Sequence, residues 1–329
     1  MGLSLGLCVL LASCGGYADF SLPRTENPAQ AAAYRFESHP DPLIGRGVAG
    51  EWDSVDVLNP SVVKSGNIYF NLYSGFDGQT WHTGLATSAD GLHWEKRGKV
   101  LSPRKDTWEG HYIAANGSLL WKDDEFLYWY HAGPREKPRL GLARSADAVE
   151  WERRSEPVLL TGPRGSWDER GVADPYVIHT GDSLYMYYLG QDRARRQRLG
   201  VARSRDGVRW EKLRANPILE LGEAGGFDEL GLGEPAVWAS DGFYWMLYTG
   251  RDRREHRRLG LARSEDGVHW RKLGLALAGR EEWNGKVVCD PSVLMENGRI
   301  RVWYGGGAAP SPDENLKGQI GLAEASMLR

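Results

Sequence analysis

An Asp, Glu or Asn, followed in four of five cases by Pro, recurs five times in this chain with a Tyr 14 positions later: Asn59/Tyr73, Asn116/Tyr130, Asp174/Tyr188, Glu234/Tyr248 and Asp290/Tyr304. Successive blocks start 57, 58, 60 and 56 residues apart. That period fits one four-stranded propeller blade and exceeds the two-helix or single-strand unit of the common solenoids. The pattern therefore predicts an all-β fold, a five-bladed β-propeller of four-stranded antiparallel blades. The first position of each block varies between amide and carboxylate on an otherwise constant frame, which marks it as the place where chemistry is set.

The third block shows how a blade is written. Pro175 to Ile178 predicts an inner strand, Thr180-Gly181-Asp182 a turn, Ser183 to Tyr188 a second strand with alternating aromatics, and Leu199 to Arg203 a third. Ser204-x-Asp206-Gly207-x-x-Trp210 then turns the chain into a fourth strand, and the same string, with Gly or Ala after the Asp, recurs at Ser88/Asp90/Trp94, Ser145/Asp147/Trp151 and Ser264/Asp266/Trp270. An Asp that caps a turn, a Gly that accepts positive φ and a Trp that packs between blades explain these strings as structure. The fifth block ends at Gly321-Leu322-Ala323-x-x-Ser326 without a fourth strand, so an edge would stay unpaired. Phe36 and Pro42 precede Trp52-Asp53 as Trp151 and Pro157 precede Trp167-Asp168, which predicts residues 35–38 as the missing outer strand with Phe36 in the Trp position.

Three regions follow: a signal over residues 1–13, a lipidated Cys14 with a flexible tether to residue 33, and a propeller over 34–329. Residues 2–13 carry no charge and lead into Leu11-Ala12-Ser13-Cys14. This resembles a bacterial lipoprotein signal, in which the Cys is lipidated, and the run is too short to span a bilayer. The resemblance implies a lipid-anchored protein of the bacterial cell envelope, on the outer membrane or the periplasmic or extracellular face. A net charge of −3 argues against nucleic acid as a partner. With Cys8 and Cys14 in the signal region, only Cys289 of the 3 cysteines remains, so no internal disulfide can form, and neither a zinc cluster nor a phosphate loop is written in the chain. No cofactor or metal is expected, and the propeller is expected to be a monomer.

If each inner strand begins at the mouth of the central channel, Asn59, Asn116, Asp174, Glu234 and Asp290 ring that mouth, with three carboxylates from adjacent blades. Crowded carboxylates raise one another's pKa, so one can stay protonated while another stays ionised, as glycoside hydrolysis requires. The loops joining second to third strands return to the same face. Two of them, Asp192 to Arg198 and Asp252 to Arg258, are rich in Arg and nominate Arg193 and Arg253, with the amides Asn59 and Asn116, as substrate-binding residues, Arg forks being suited to an anionic sugar or phosphate. Trp167-Asp168-Glu169 and Phe227-Asp228-Glu229, just ahead of blades three and four, read as loop anchors.

The five blocks, their Asp-Pro and Glu-Pro starts and the Ser-x-Asp-Gly-x-x-Trp turns resemble the five-bladed propeller glycosidases, the arabinanases and xylosidases of family 43 and the invertase-like enzymes of family 32. The resemblance covers nearly all of residues 34–329. It implies a glycosidase with a general-acid Glu in the fourth blade, matched by Glu234, and an auxiliary Asp in the third, matched by Asp174. The first-blade Asp that serves there as base or nucleophile is Asn59 here, which can do neither; Asp290 is the first substitute, ahead of Asp53 and Asp56. The alternatives are a glycan-binding lipoprotein without catalysis and a phosphorylase, whose phosphate nucleophile needs no basic carboxylate.

Overall fold

Among the described residues, twenty of the 21 strands fall into five antiparallel groups of four. The computed structural model describes residues 16–25, 33–296 and 298–328. A two-residue strand, Tyr17–Ala18 (β1), and the strand Ala33–Ser38 (β2) come first. Blade one is Asp56–Ser65 (β3), Ile68–Phe76 (β4), Trp81–Ser88 (β5) and Glu95–Leu101 (β6); blade two is Ala114–Lys122 (β7), Glu125–Ala132 (β8), Arg139–Ser145 (β9) and Glu152–Arg153 (β10). Blade three is Gly171–Thr180 (β11), Ser183–Gln191 (β12), Gln197–Ser204 (β13) and Glu211–Leu213 (β14). Blade four is Gly231–Ser240 (β15), Phe243–Arg251 (β16), Arg257–Ser264 (β17) and Arg271–Leu277 (β18), and blade five is Val287–Glu296 (β19), Arg299–Gly307 (β20) and Gln319–Leu328 (β21) completed by β2. Each inner strand touches the next, β3 to β7 to β11 to β15 to β19, and β19 returns to β3. The ring is closed.

Closure uses the N-terminal strand in the expected register. Glu324 pairs with Glu37 as Thr87 pairs with Glu95, so Phe36 holds in blade five the place of Trp94, and it is buried. The Ser-x-Asp-Gly turns are structural. In each, Asp Oδ1 accepts two backbone N–H groups, as Asp206 does from Val208 and Arg209. The carbonyl of the turn glycine then accepts from its own Trp and from an aromatic side chain of the preceding blade: Trp94 and Trp303 on Gly91, Trp210 and Trp129 on Gly207. Three of the four turns, with Tyr187 on Gly267 the third, thus fasten one blade to the next, while in blade two the carbonyl of Ala148 accepts from its own Trp151.

The buried Tyr of every block hydrogen-bonds a side chain 20 or 21 residues earlier: Asp53 to Tyr73, Glu109 to Tyr130, Asp168 to Tyr188, Asp228 to Tyr248 and Asn284 to Tyr304. In four blades that partner is a buried carboxylate, and the outer strand brings it a cation: Lys96, Arg153, Lys212 or Lys272. In blade five the partner is an amide, and Ser38 stands in the cation's register position opposite Ala323. At this anchor position the charge is buried as a pair or is absent, as the cost of an unpaired buried ion demands. This is the anchoring role expected of Trp167-Asp168 and Phe227-Asp228.

The expectation of a flexible tether as far as residue 33 does not hold for residues 16–25. β1 pairs in parallel with β14, Leu22 is buried and donates its N–H to Asp266, and Tyr244 bonds the carbonyl of Pro23. Leu22 fills the space beside the turn glycine Gly267. An apolar side chain that finds a pre-formed notch between blades three and four stays there. The signal segment and Cys14 lie outside the described residues.

Candidate active site

In all five inner strands the ladder skips two residues: between Leu58 and Ser61, Ala115 and Ser118, Ala173 and Tyr176, Gly233 and Ala236, and Cys289 and Ser292. The first skipped residue is Asn59, Asn116, Asp174, Glu234 or Asp290, and each has positive φ, between 43° and 52°. Pro at the next position disfavours the right-handed helical region, and the bulge turns the side chain from the sheet towards the channel axis. Asn and Asp tolerate this backbone readily; Glu does not, so Glu234 at φ 43° is the strained member. All five line one cavity at the channel entrance, whose wider part has a volume of about 430 Å³.

The five differ in what holds them. Ser74 Oγ accepts the N–H of Asn116 at 3.0 Å and donates to its Oδ1 at 2.8 Å, while Asn116 Nδ2 donates to Asp174 Oδ1 at 3.4 Å. On the other side of Asp174, His131 Nδ1 lies 3.8 Å from the same oxygen. Asp290 donates its N–H to Thr249 Oγ1 at 3.2 Å, and its Oδ2 accepts from Asn59 N–H at 3.2 Å and from Cys289 Sγ at 3.1 Å. Glu234 Oε2 is buried without a partner.

Burial raises the pKa of Glu234, and the charges of Asp290 and Asp174 raise it further against the smaller opposing pull of Arg257. Asp290 is also raised by burial, but Cys289, Arg257 and the Asn59 N–H counteract it. The pair is driven apart, with Glu234 the group that keeps its proton at higher pH.

The cavity walls are unlike. Blades one and two contribute Trp81, stacked on Phe76 with ring centroids 4.8 Å apart, and Tyr112 with Arg135 over its ring. Blades three and four contribute Arg170, Arg195, Arg251 and Arg257, with Gln191 and Gln197. Arg251 is held by Gln197 and Glu255, whereas Arg257 reaches across to the carbonyls of Ser311 and Pro312. Of the two loops nominated for their Arg content, the wall takes Arg195 and Arg257 rather than the nominated residues. Arg193 is exposed away from the lining, and Arg253 is drawn off by Glu229 at 3.1 Å.

Asp53 and Asp56 do not reach the mouth: Asp53 is paired with Tyr73 and Lys96, and Asp56 accepts the backbone N–H groups of Asn315 and Gly318. Sequence reasoning missed His131, Leu189, Thr249 and Arg257. The first three share a signal, since each directly follows the repeated Tyr of its block.

The family model described as the glycosyl hydrolases family 32 N-terminal domain matches residues 67–227. An uncharacterized protein of Mycobacterium tuberculosis is 26% identical over 231 residues, covering 65% of this chain and 75% of that protein. A 1,2-beta-oligomannan phosphorylase of a Thermoanaerobacter species is 28% identical over 132 residues, covering 37% of this chain and 43% of that enzyme. Among solved structures, a member of the GH130 family of mannoside phosphorylases, described in connection with hydrolases of beta-1,2 mannosidic linkages in Candida mannan, superposes with a TM-score of 0.69 at 17% identity, over 92% of this chain and 96% of that one. The fold is that of the propeller glycoside hydrolases and phosphorylases.

Proposed function

We propose that this chain, a five-bladed propeller of the glycosidase superfamily, cleaves a glycosidic bond in an oligo- or polysaccharide at the channel mouth. The observation that carries the reading is Glu234: a strained, partly buried carboxyl with one buried oxygen that has no hydrogen-bond partner, facing Asp174 and Asp290 in a cavity of sugar size. In the hydrolytic course, Glu234 gives its proton to the glycosidic oxygen as the bond from that oxygen to the anomeric carbon breaks. Asp290, steadied by Asn59 N–H and Arg257, takes a proton from the water whose oxygen bonds to the anomeric carbon, and Asp174 stabilises the acid form of Glu234.

A second reading is phosphorolysis, favoured by the amide at Asn59 and by the Arg170, Arg195 and Arg251 wall, and consistent with the phosphorylase names of two relatives. There a phosphate oxygen bonds to the anomeric carbon and the product is a sugar 1-phosphate. Incubating the purified protein with a panel of oligosaccharides that includes β-1,2-mannosides, with and without inorganic phosphate, tests both. A free reducing sugar formed without phosphate supports hydrolysis, and a sugar phosphate detected by ³¹P NMR supports phosphorolysis. Saturable glycan binding with no product under either condition rejects both in favour of a binding protein. Lipidation at Cys14 completes the proposal; with residue 16 already packed on blade three, the anchor would hold the propeller close to the membrane surface.

A further inference from the structure

The residue after the repeated Tyr forms a second ring: Ser74, His131, Leu189, Thr249 and Gly305. Each pairs in the ladder with the residue just before its own blade's mouth residue, as Ser74 does with Leu58 and Thr249 with Gly233. Only Ser74 and Thr249 bring a hydroxyl, and both turn it to the following blade. Ser74 Oγ accepts the N–H of Asn116 at 3.0 Å, and Thr249 Oγ1 accepts the N–H of Asp290 at 3.2 Å. A hydroxyl has one proton to give, and an N–H partner leaves that proton free. Ser74 gives it to Asn116 Oδ1 at 2.8 Å. Thr249, buried in the cavity wall, gives it instead to the carboxyl of Glu234 on its own blade. Oδ2 of Asp290 already takes Asn59 N–H and the Cys289 thiol.

We propose that Thr249 is a positioning residue that bridges the acid and the base: one hydroxyl, held by the backbone of Asp290, donates to the carboxyl of Glu234 and fixes the two mouth residues relative to each other. The inference rests on the reading of Glu234 as the acid and Asp290 as the base. While Glu234 keeps its proton, the bond joins two neutral groups. As that proton passes to the glycosidic oxygen, the acceptor becomes a carboxylate and the bond becomes charge-assisted, about twice as strong as before. The gain arises in the transition state and not on binding, so it acts on kcat and leaves KM alone. Around the pair stand Asp174 from β11, Cys289 from β19 and Arg257 from β17, with His131 from β8 facing Asp174. Those groups surround both carboxyls, whereas the Thr249 hydroxyl bonds to both mouth residues at once.

Thr249→Val keeps the shape and removes the hydroxyl, while Thr249→Ser keeps the hydroxyl and drops a methyl. The Val variant is expected to lose about 10-fold in kcat with KM unchanged, and the Ser variant to recover most of that loss. NMR reads the bridge without turnover. The carboxyl carbon of Glu234 is expected to titrate on the order of one pH unit higher in Thr249→Val than in wild type, because a bond to the charged form is gone, and to stay in place in Thr249→Ser. The Asp290 amide proton is expected to move upfield in Thr249→Val as its acceptor is lost. An unmoved Glu234 titration, an unmoved Asp290 amide, or a Ser variant as impaired as the Val variant overturns the proposal. Should Thr249→Val fail to fold, Thr249→Ala takes its place against Thr249→Ser with the same expectations. A protein that cleaves no glycoside yet shows both NMR changes rejects the proposed function and leaves the bridge standing.

Discussion

Asn59 donates its backbone N–H to Oδ2 of Asp290 at 3.2 Å across the seam where the last blade meets the first. The first-blade side chain has lost its carboxylate, and its backbone now holds the carboxylate of its neighbour. Gly305 makes this possible, because any side chain there would collide with Asp290. Gly305→Ala is therefore expected to displace Asp290 and lower kcat by on the order of 10²-fold, with the melting temperature shifted only by a few degrees. Steady-state kinetics with matched melting curves checks it; unchanged kcat would remove Asp290 from the chemistry.

The paired burial of charge in four blades predicts strong coupling. Lys272 lies 2.6 Å from Asp228, which is almost fully buried. Lys272→Met alone strands that carboxylate and is expected to cost about 3 kcal/mol. Combining it with Asp228→Asn, which reproduces the neutral chemistry of Asn284 in blade five, should recover most of the loss. A double-mutant cycle by denaturant unfolding measures the coupling, and simple additivity would contradict this reading of the anchors.

Residues 16–25 are part of the folded body. Leu22→Ala is expected to destabilise by about 2–5 kcal/mol, because the notch against Gly267 cannot collapse around a smaller side chain. Removing residues 33–38 should be more damaging still, since it uncovers β21. Calorimetry on the variants tests both.

The architecture was legible because a propeller repeats itself: five copies of one block fix strand order, turn type and the ring position of each mouth residue. Even the closure by Phe36 could be read, since the fifth copy lacked what the other four possess. The packing of residues 16–25 was not legible, because a short segment of mixed apolar and polar residues has no periodicity, and the notch that receives Leu22 is assembled from residues far away in sequence. The Arg residues failed for a related reason. Composition located the two basic loops, but which guanidinium turns inward depends on a tight turn with Arg195 and Glu255 at positive φ. The second ring was visible in the sequence at Tyr plus one, yet its meaning depends on contacts between blades.

Activity and stability should both follow the split titration of the mouth. Burial and like charge push Glu234 up to about 8 and Asp290 to about 6. Catalysis by the acid form of one and the ionised form of the other predicts a bell-shaped kcat/KM between those limits, belonging to the pair rather than to either residue. The sign for stability is negative. The folded protein retains a proton on Glu234 that the unfolded chain releases above the ordinary Glu value of 4.5, so stability falls as pH rises from there towards 8 and then levels. Glu234→Gln should flatten that decline. An equal slope in wild type and variant would show that Glu234 titrates normally.

Lipidation gives a separate outcome. Cys14→Ala should shift the protein from the membrane pellet to the soluble fraction, because an uncharged run of this length cannot hold it once the acyl chains are absent. Membrane association that persists in Cys14→Ala would reject the lipoprotein reading and leave the propeller chemistry untouched.

The sharpest test of catalysis is the dependence of Glu234→Gln on the leaving group. The substitution keeps size and hydrogen-bonding capacity but removes the transferable proton. With a saccharide leaving group, which cannot depart as an alkoxide, turnover should fall by on the order of 10²–10⁴-fold; with an activated aryl leaving group, which needs no protonation, it should fall far less. Glycan affinity should be nearly preserved, because the amide occupies the same place on the cavity floor. The ratio of the two losses measures proton donation and is insensitive to a small general disturbance of the mouth, which would depress both substrates alike. Equal loss on both would remove Glu234 as the acid and leave Asp174 and Asp290 as the remaining carboxylates of the ring.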